Sequence, residues 1–329
     1  MFEYSDMTAH KNIFETKRRE IYWQLKEIGL EEQEAQAEAA LIVEQVSGLK
    51  QAQQIISDLN EFSIKWQDEI ARIINLRRER RPLAYALGEI EFAGLAYRII
   101  PGVLIPRTDT ETLVEAVVEW GETATSVNGA EAALNIAEIG VGSGIIAISL
   151  LKRLPNARVW ACDISETAIT LATGNARRHG VHERLKLVHG DWKKVLPKDF
   201  DVIVSNPPYI PNRLDNKASK ELAPEIYFEP KEALFAGEDG LDFYRQFAQI
   251  LPRHFSSGSD NAIKAGLSDH AVTERLSNKP NTANKLAAFE IGDGQEEAVT
   301  SIFKKQGWTN IQIKKDINNL PRVLIATPP

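Results

Sequence analysis

The sequence predicts an α/β protein, a mostly parallel sheet preceded by a small all-helical domain and joined to it by a β-hairpin. Three observations carry this. Short apolar runs alternate with amphipathic helical stretches from Ala133 to Gln306, the pattern of parallel strands with covering helices. The stretch before Arg81 shows helical periodicity only. Successive apolar runs end in polar punctuation (glycines 140, 142 and 144; Asp163; Asp191-Trp192; Asn206-Pro207-Pro208-Tyr209), which a parallel sheet gathers at one edge.

In the helical domain, residues 1–80, Ile13, Ile21, Leu25 and Ile28 fall near one face, and Gly29 stops that helix. A second helix runs from Glu31 to Val46 and ends at Ser47-Gly48. A third follows Ser63 as N-cap and carries Ile64, Trp66, Ile70, Ile73, Ile74 and Leu76. The cluster Arg77-Arg78-Glu79-Arg80-Arg81 reads as a solvated helix end that favours the dipole. In the linker, residues 81–107, Leu83–Leu87 and Leu95–Ile100 flank Gly88 and Gly94, which suggests the two strands of the hairpin.

The third domain, residues 108–329, opens at Thr108-Asp109-Thr110-Glu111 with a helix through Leu113, Val114 and Val117. Strands are expected at Leu134–Ile139, Arg158–Cys162, Leu185–Val188, Asp201–Ser205 and Leu286–Ile291. Helices are expected at Ile145–Leu154, Thr167–His179, Leu241–Leu251 and Gln295–Gln306, with a closing antiparallel pair at Asn310–Lys314 and Val323–Ala326. Residues 256–285 are polar and aperiodic, an inserted loop with a short helix near 271–276.

Composition bounds the function. A length of 329 residues is too long for one small domain and fits two, and a net charge of −7 speaks against a protein that lives on nucleic-acid backbones. The one cysteine, Cys162, excludes an internal disulfide and a thiolate metal cluster and suits a reducing compartment. No apolar run approaches the roughly 20 residues of a membrane span, and Glu3 and Asp6 precede any apolar stretch, unlike a signal or transit peptide. A monomeric cytoplasmic protein with no membrane or direct nucleic-acid partner is expected.

Two constellations carry chemistry. Glu138-Ile139-Gly140-Val141-Gly142-Ser143-Gly144 ends a strand and opens a helix, so its backbone turns tightly and approaches a ligand closely. Ile145 stands where a dinucleotide fingerprint needs its last glycine, and there is no Gly-Lys-Ser/Thr for a nucleoside triphosphate. Asp163 suits a ribose and Asp191-Trp192 an adenine edge and face, with helix capping and plain packing as their competing roles. The second constellation is Asn206-Pro207-Pro208-Tyr209. Prolines lack N–H groups, so nearby carbonyls stay free to accept. The Asn206 oxygen and the Pro207 carbonyl suit the two hydrogens of an NH2 group, and Tyr209 suits its flat face. His179, His182 and His189 lack metal-ligand spacing and read as solvated loop histidines, and no metal is expected.

Taken together, the motifs closely resemble the HemK/PrmC protein-(glutamine-N5) methyltransferases. The likeness runs through Arg77-Arg78…Arg81-Pro82-Leu83-Ala84-Tyr85, Gly88-Glu89-Ile90-Glu91-Phe92 and Ile105-Pro106-Arg107…Thr110-Glu111. It continues through the glycine turn, Asp163-Ile164-Ser165, Ser205 to Ile210, Glu229-Pro230, Asp239-Gly240-Leu241 and Glu290-Ile291-Gly292. The resemblance implies a Rossmann-like sheet using S-adenosylmethionine, with S-adenosylhomocysteine as product. It implies as substrate the Gln of the Gly-Gly-Gln motif in class-I peptide release factors, held in part by the helical domain. Carried over by position, Gly140, Val141, Gly142, Ser143, Gly144, Asp163, Trp192 and Asn206 meet the cofactor. Asn206, Pro207, Pro208 and Tyr209 hold the glutamine, with Asn206, Pro207 and Tyr209 as the catalytic set. The chain departs from the family pattern at Glu138 (Asp), Thr108 (Pro), Ala93 (an aromatic) and at 256–285, which replaces a Pro-Gly-Gly turn. Methylation of an adenine amine in nucleic acid and a non-catalytic binding module are the competing readings.

Overall fold

The computed structural model describes residues 12–59, 61–128, 133–212, 224–256 and 285–329. The chain divides into two compact units. One takes in the chain up to Glu89 with Pro224–Phe228, and the other the remainder.

The first unit is helical. Asn12 caps α1 (Ile13–Glu27) by accepting from the Phe14 N–H, and the helix buries Phe14, Ile21 and Leu25. The face α2 (Glu32–Ser47) turns inward carries Ala35, Ala39, Ile42 and Val43, small enough in its first half for close approach to α1. A short α3 (Gln51–Ile55) follows, and then α4 (Ile64–Arg78), capped by Ser63 as the sequence suggests.

Two expectations fail here. Leu83–Leu87 is a helix, α5, rather than a strand; Pro82 sets its start, Gly88 (φ 75°) ends it, and Ala86 is buried among the other helices. Nor is the arginine cluster uniformly solvated. Arg77 is 1% exposed, and its guanidinium grips Glu38 of α2 by two hydrogen bonds of 2.8 Å. Glu38 lies on the inward face of α2, where a desolvated carboxylate needs a cation. Arg80 and Arg81 also find partners within this unit, Glu225 and the Phe228 ring.

The hairpin that follows is β1 (Glu89–Phe92) and β2 (Leu95–Arg98), in the second unit from Ile90 on and turned by Ala93 (φ 49°) and Gly94 (φ 72°). The chain then forms α6 (Thr110–Asn128), β3 (Asn135–Ile139), α7 (Ile145–Arg153), β4 (Arg158–Asp163), α8 (Glu166–Arg178), β5 (Leu185–His189), α9 (Trp192–Val195) and β6 (Val202–Ser205). It continues with α10 (Asp242–Ile250), β7 (Leu286–Glu290), α11 (Glu296–Lys305), β8 (Thr309–Lys315) and β9 (Pro321–Thr327). The expected element order therefore holds. The short helix expected near 271–276 and residues 257–284 of the insertion lie outside the described residues.

The sheet runs β5-β4-β3-β6-β7-β9-β8; the first five strands are parallel, and β9 is antiparallel to both β7 and β8. Alternate residues serve opposite faces. Ile136, Val159, Val204 and Ala288 pack under α6, α7 and α8, whereas Ile139, Trp160, Ile203 and Phe289 pack against α10 and α11. From β3 the chain works outward through β4 and β5, then returns to add β6 on the other side of β3. That reversal opens a crevice beyond the carboxyl ends of β3 and β6, where open sheets bind ligands.

Candidate functional site

The glycine turn lies at one side of this crevice. Gly140 (φ 78°) and Gly142 (φ 53°) take conformations that disfavour a side chain, and a Cβ on either meets only open space. Backbone is thus presented to the crevice with room before it. Two carboxylates fix the turn. Asp163 accepts from the Gly142 N–H and the Ser165 N–H, both at 2.9 Å, and is half-buried with lone pairs to spare. It ties the turn to Ser165, and it is the Ser165 hydroxyl, accepting from the Ala168 N–H, that caps α8, so the capping role weighed against ribose binding falls to Ser165 and leaves Asp163 free for a ligand. Glu138 is wholly buried. One oxygen accepts from the Ala147 N–H at 3.0 Å, and the other has no partner among the described residues. Desolvation, with a smaller push from the Asp163 charge, lifts its carboxyl well above the ordinary range. Burial likewise pushes the Cys162 thiol, beneath the turn, up to about 12, so it is inert as a nucleophile at neutral pH.

At the other side, Ser205 pairs with Phe289, and one residue further along each strand stand Asn206 and Glu290. Thr110, the first residue of α6, lies between them. Its hydroxyl donates to Glu290 Oε2 at 2.7 Å, and the Asn206 Nδ2 donates to the Thr110 Oγ1 at 3.2 Å. Tyr209 donates to Glu290 Oε1 at 3.3 Å. Its carbonyl accepts from Gln295 Nε2 at 2.9 Å. Glycines make this loop possible: a Cβ on Gly240 would stand 2.2 Å from the Tyr209 carbonyl oxygen. Burial raises the Glu290 carboxyl to about 7 despite the Thr110 and Tyr209 hydrogen bonds, and it also drives the Tyr209 hydroxyl upward. Nearby, Arg107 pairs with Glu229, whose second oxygen accepts from the Ile105 N–H at 2.9 Å and so fixes the approach to α6.

The crevice therefore joins an open-faced glycine turn to an Asn-Pro-Pro-Tyr loop. Residues 125–237 match the methyltransferase small domain family. The release factor glutamine methyltransferase of Geobacter sulfurreducens is 37% identical over 254 residues, 77% of this chain and 75% of that one. That of Moorella thermoacetica is 37% identical over 77% of each chain. The chain belongs to the release factor glutamine methyltransferases. It also matches longer proteins. A bifunctional methyltransferase of Rickettsia felis is 36% identical over 291 residues, 82% of this chain, and this chain spans about half of its length.

Within this family member the expected site residues divide. Gly140 to Gly144, Asp163 and Asn206 to Tyr209 lie at the ends of the neighbouring strands β3, β4 and β6. Trp192 is 7% exposed, its ring edge-on to Phe247 in the core, so only a rim of the indole is open to a ligand; Asp191 caps the same short helix. His179 departs from a solvated loop residue, since its ring lies against Tyr97 and its Nε2 is 2.9 Å from the Ala96 carbonyl oxygen. Sequence reasoning missed the roles of Thr110, Glu290 and Gln295. The signal for Glu290 was there: a carboxylate directly after Leu286-Ala287-Ala288-Phe289, where burial demands partners.

Proposed function

We propose that the chain transfers a methyl group from S-adenosylmethionine to the side-chain amide nitrogen of the Gln in the Gly-Gly-Gln motif of class-I peptide release factors, and so modulates translation termination in the cytoplasm. One observation carries the reading. Asn206 spends its NH2 on Thr110, which leaves its side-chain oxygen to accept from an NH2 group beside the glycine turn. The names of the relatives point to the same acceptor. Among the described residues no helix is long and apolar enough to cross a membrane.

The residues present fit the donor. Gly140 and Gly142 leave open space for an adenosyl group, and Asp163 keeps acceptor capacity for ribose hydroxyls. Trp192 offers only its rim to the adenine. Bound there, S-adenosylmethionine supplies an already activated methyl group on a sulfonium.

The protein's work is then alignment. An amide nitrogen is a weak nucleophile because its lone pair is delocalised into the carbonyl. The Asn206 oxygen and the Pro207 carbonyl accept its two hydrogens, aim the nitrogen and favour the positive charge that builds on it. Pro208 stiffens the loop, and Tyr209, fixed through its hydroxyl and carbonyl, lines it. No side chain has to remove a proton before transfer; S-adenosylhomocysteine would be the leaving group, and the extra proton on the methylated nitrogen would pass to solvent.

The test is transfer of labelled methyl from S-adenosylmethionine to a purified release factor, beside a Gln→Ala variant of its Gly-Gly-Gln motif. Label on the first and none on the second is expected. Label on neither, with label on DNA or RNA, would overturn the acceptor. Asn206→Ala is expected to lower the rate by about 100-fold or more with the denaturation midpoint almost unchanged, and near-normal turnover in that variant would sink the alignment role.

A further inference from the structure

Asn206, Thr110, Glu290 and Tyr209 form a chain of hydrogen bonds, and the transfer chemistry above uses its two ends and gives Thr110 and Glu290 no role. We propose that Glu290, acting through the Thr110 hydroxyl, is a positioning residue that dictates which way round the Asn206 amide sits and so presents its oxygen to the acceptor's NH2. The inference rests on the functional reading only in needing an acceptor with an NH2 group.

An ionised carboxylate accepts and never donates. Among the described residues both groups that donate to the Glu290 carboxylate are hydroxyls, each with one proton, and both protons point at it: Thr110 at 2.7 Å and Tyr209 at 3.3 Å. With its proton committed, the Thr110 oxygen can only accept from its other neighbour. Asn206 must therefore turn its NH2 inward, as the 3.2 Å contact shows, and leave its oxygen for the guest. The reversed amide would set two oxygens together with no proton between them. Thr110 is 0% and Glu290 2% exposed, so bulk water does not reset this polarity.

Protonation of Glu290 reverses the logic. A neutral carboxyl can donate to Thr110, which frees the threonine proton to turn toward Asn206 and lets the amide flip. The acceptor's NH2 would then meet a second NH2. The groups that face Glu290 are Thr110 and Asp109 from the start of α6, Tyr209 from the loop after β6, Arg322 from β9 and Tyr244 of α10, whose hydroxyl donates to the Glu290 backbone carbonyl. Burial outweighs the Thr110 and Tyr209 hydrogen bonds, Asp109 adds to it, Arg322 opposes it, and the carboxyl comes to rest at about 7. Transfer should accordingly fall as pH drops through that value.

Three variants test this in the full chain. Thr110→Val keeps the shape and removes the hydroxyl; kcat is expected to fall about 10- to 100-fold, with binding of S-adenosylmethionine by calorimetry held within about threefold. Thr110→Ser keeps the proton and is expected to restore most of the lost rate. Wild-type turnover in Thr110→Val, or equal losses in the two variants, would overturn the proposal, because either result assigns Thr110 to packing alone. Glu290→Gln, whose NH2 can donate to Thr110, is expected to be slow and to lose the acid limb of the kcat/KM profile. An acid limb near neutrality that persists in Glu290→Gln would also overturn it. The ratio of Val to Ser is read on whichever acceptor the wild type labels. Labelling of a polynucleotide instead of a release factor would thus defeat the functional reading while the ratio still decides the positioning role.

Discussion

Glu38 in the helical unit and Glu290 in the sheet unit are the same residue in almost the same depth of burial, 8% and 2% exposed, with opposite solutions to it. Each oxygen of Glu38 receives a guanidinium N–H from Arg77 at 2.8 Å. Among the described residues the Glu290 carboxylate receives only hydroxyls, while Arg322 is hydrogen-bonded to Asp316 and paired with Asp109 at 3.1 Å. Burial leaves both carboxyls above their ordinary value, and at Glu38 the hydrogen bonds and charge of Arg77 offset part of the rise. Neutral donors satisfy lone pairs without cancelling the charge, whereas a guanidinium does both. A carboxylate that must only hold helices together is given a cation. One that must stay responsive near neutrality is given hydroxyls.

The largest expected effect breaks the first half of this contrast. Arg77→Met leaves Glu38 buried with Glu34 and Glu225 near it, and should cost about 3–5 kcal/mol, read as a shift in the denaturant midpoint of the helical unit. The double variant Glu38→Leu/Arg77→Met removes both charges and should return to within about 1 kcal/mol of the wild type or exceed it. A single variant as stable as the wild type would mean that Glu38 is not held as an ion, and the contrast would fail.

That pair also marks where sequence reading stops. Helices and strands were legible because periodicity is local: Ile70, Ile73 and Ile74 name a buried face, and Val202–Ser205 a buried strand. The order of the site residues was legible because parallel strands must end at one edge. Arg77 was not, because a run of five residues containing four basic ones looks solvated until Glu38, thirty-nine positions away, is placed beside it. Leu83–Leu87 was misread because five apolar residues bounded by Pro82 and Gly88 suit a short helix or a strand equally, and the buried Ala86 decides. Thr110 and Glu290 lie 180 positions apart, and only the packing of α6 over β7 joins them.

A smaller effect sharpens the second half. The unfolded chain ionises Glu290 near the ordinary value of 4.5, and the folded chain near 7. Between those values the folded state keeps a proton that the unfolded state has released, so stability falls as pH rises across the window. The cost is absent below 4.5 and fully present above about 7, on the order of 3 kcal/mol at about 1.4 kcal/mol per pKa unit. Glu290→Gln removes the ionisation, so its stability relative to the wild type should improve as pH is raised from about 5 to about 8, measured as the difference between urea midpoints. A constant difference would mean that Glu290 does not titrate there. The sign sets function against stability: the proton that relieves the buried charge is the one that lets Thr110 release Asn206. Acidification toward pH 5 should therefore make the fold firmer and the transfer slower, a divergence that a purely structural carboxylate would not produce.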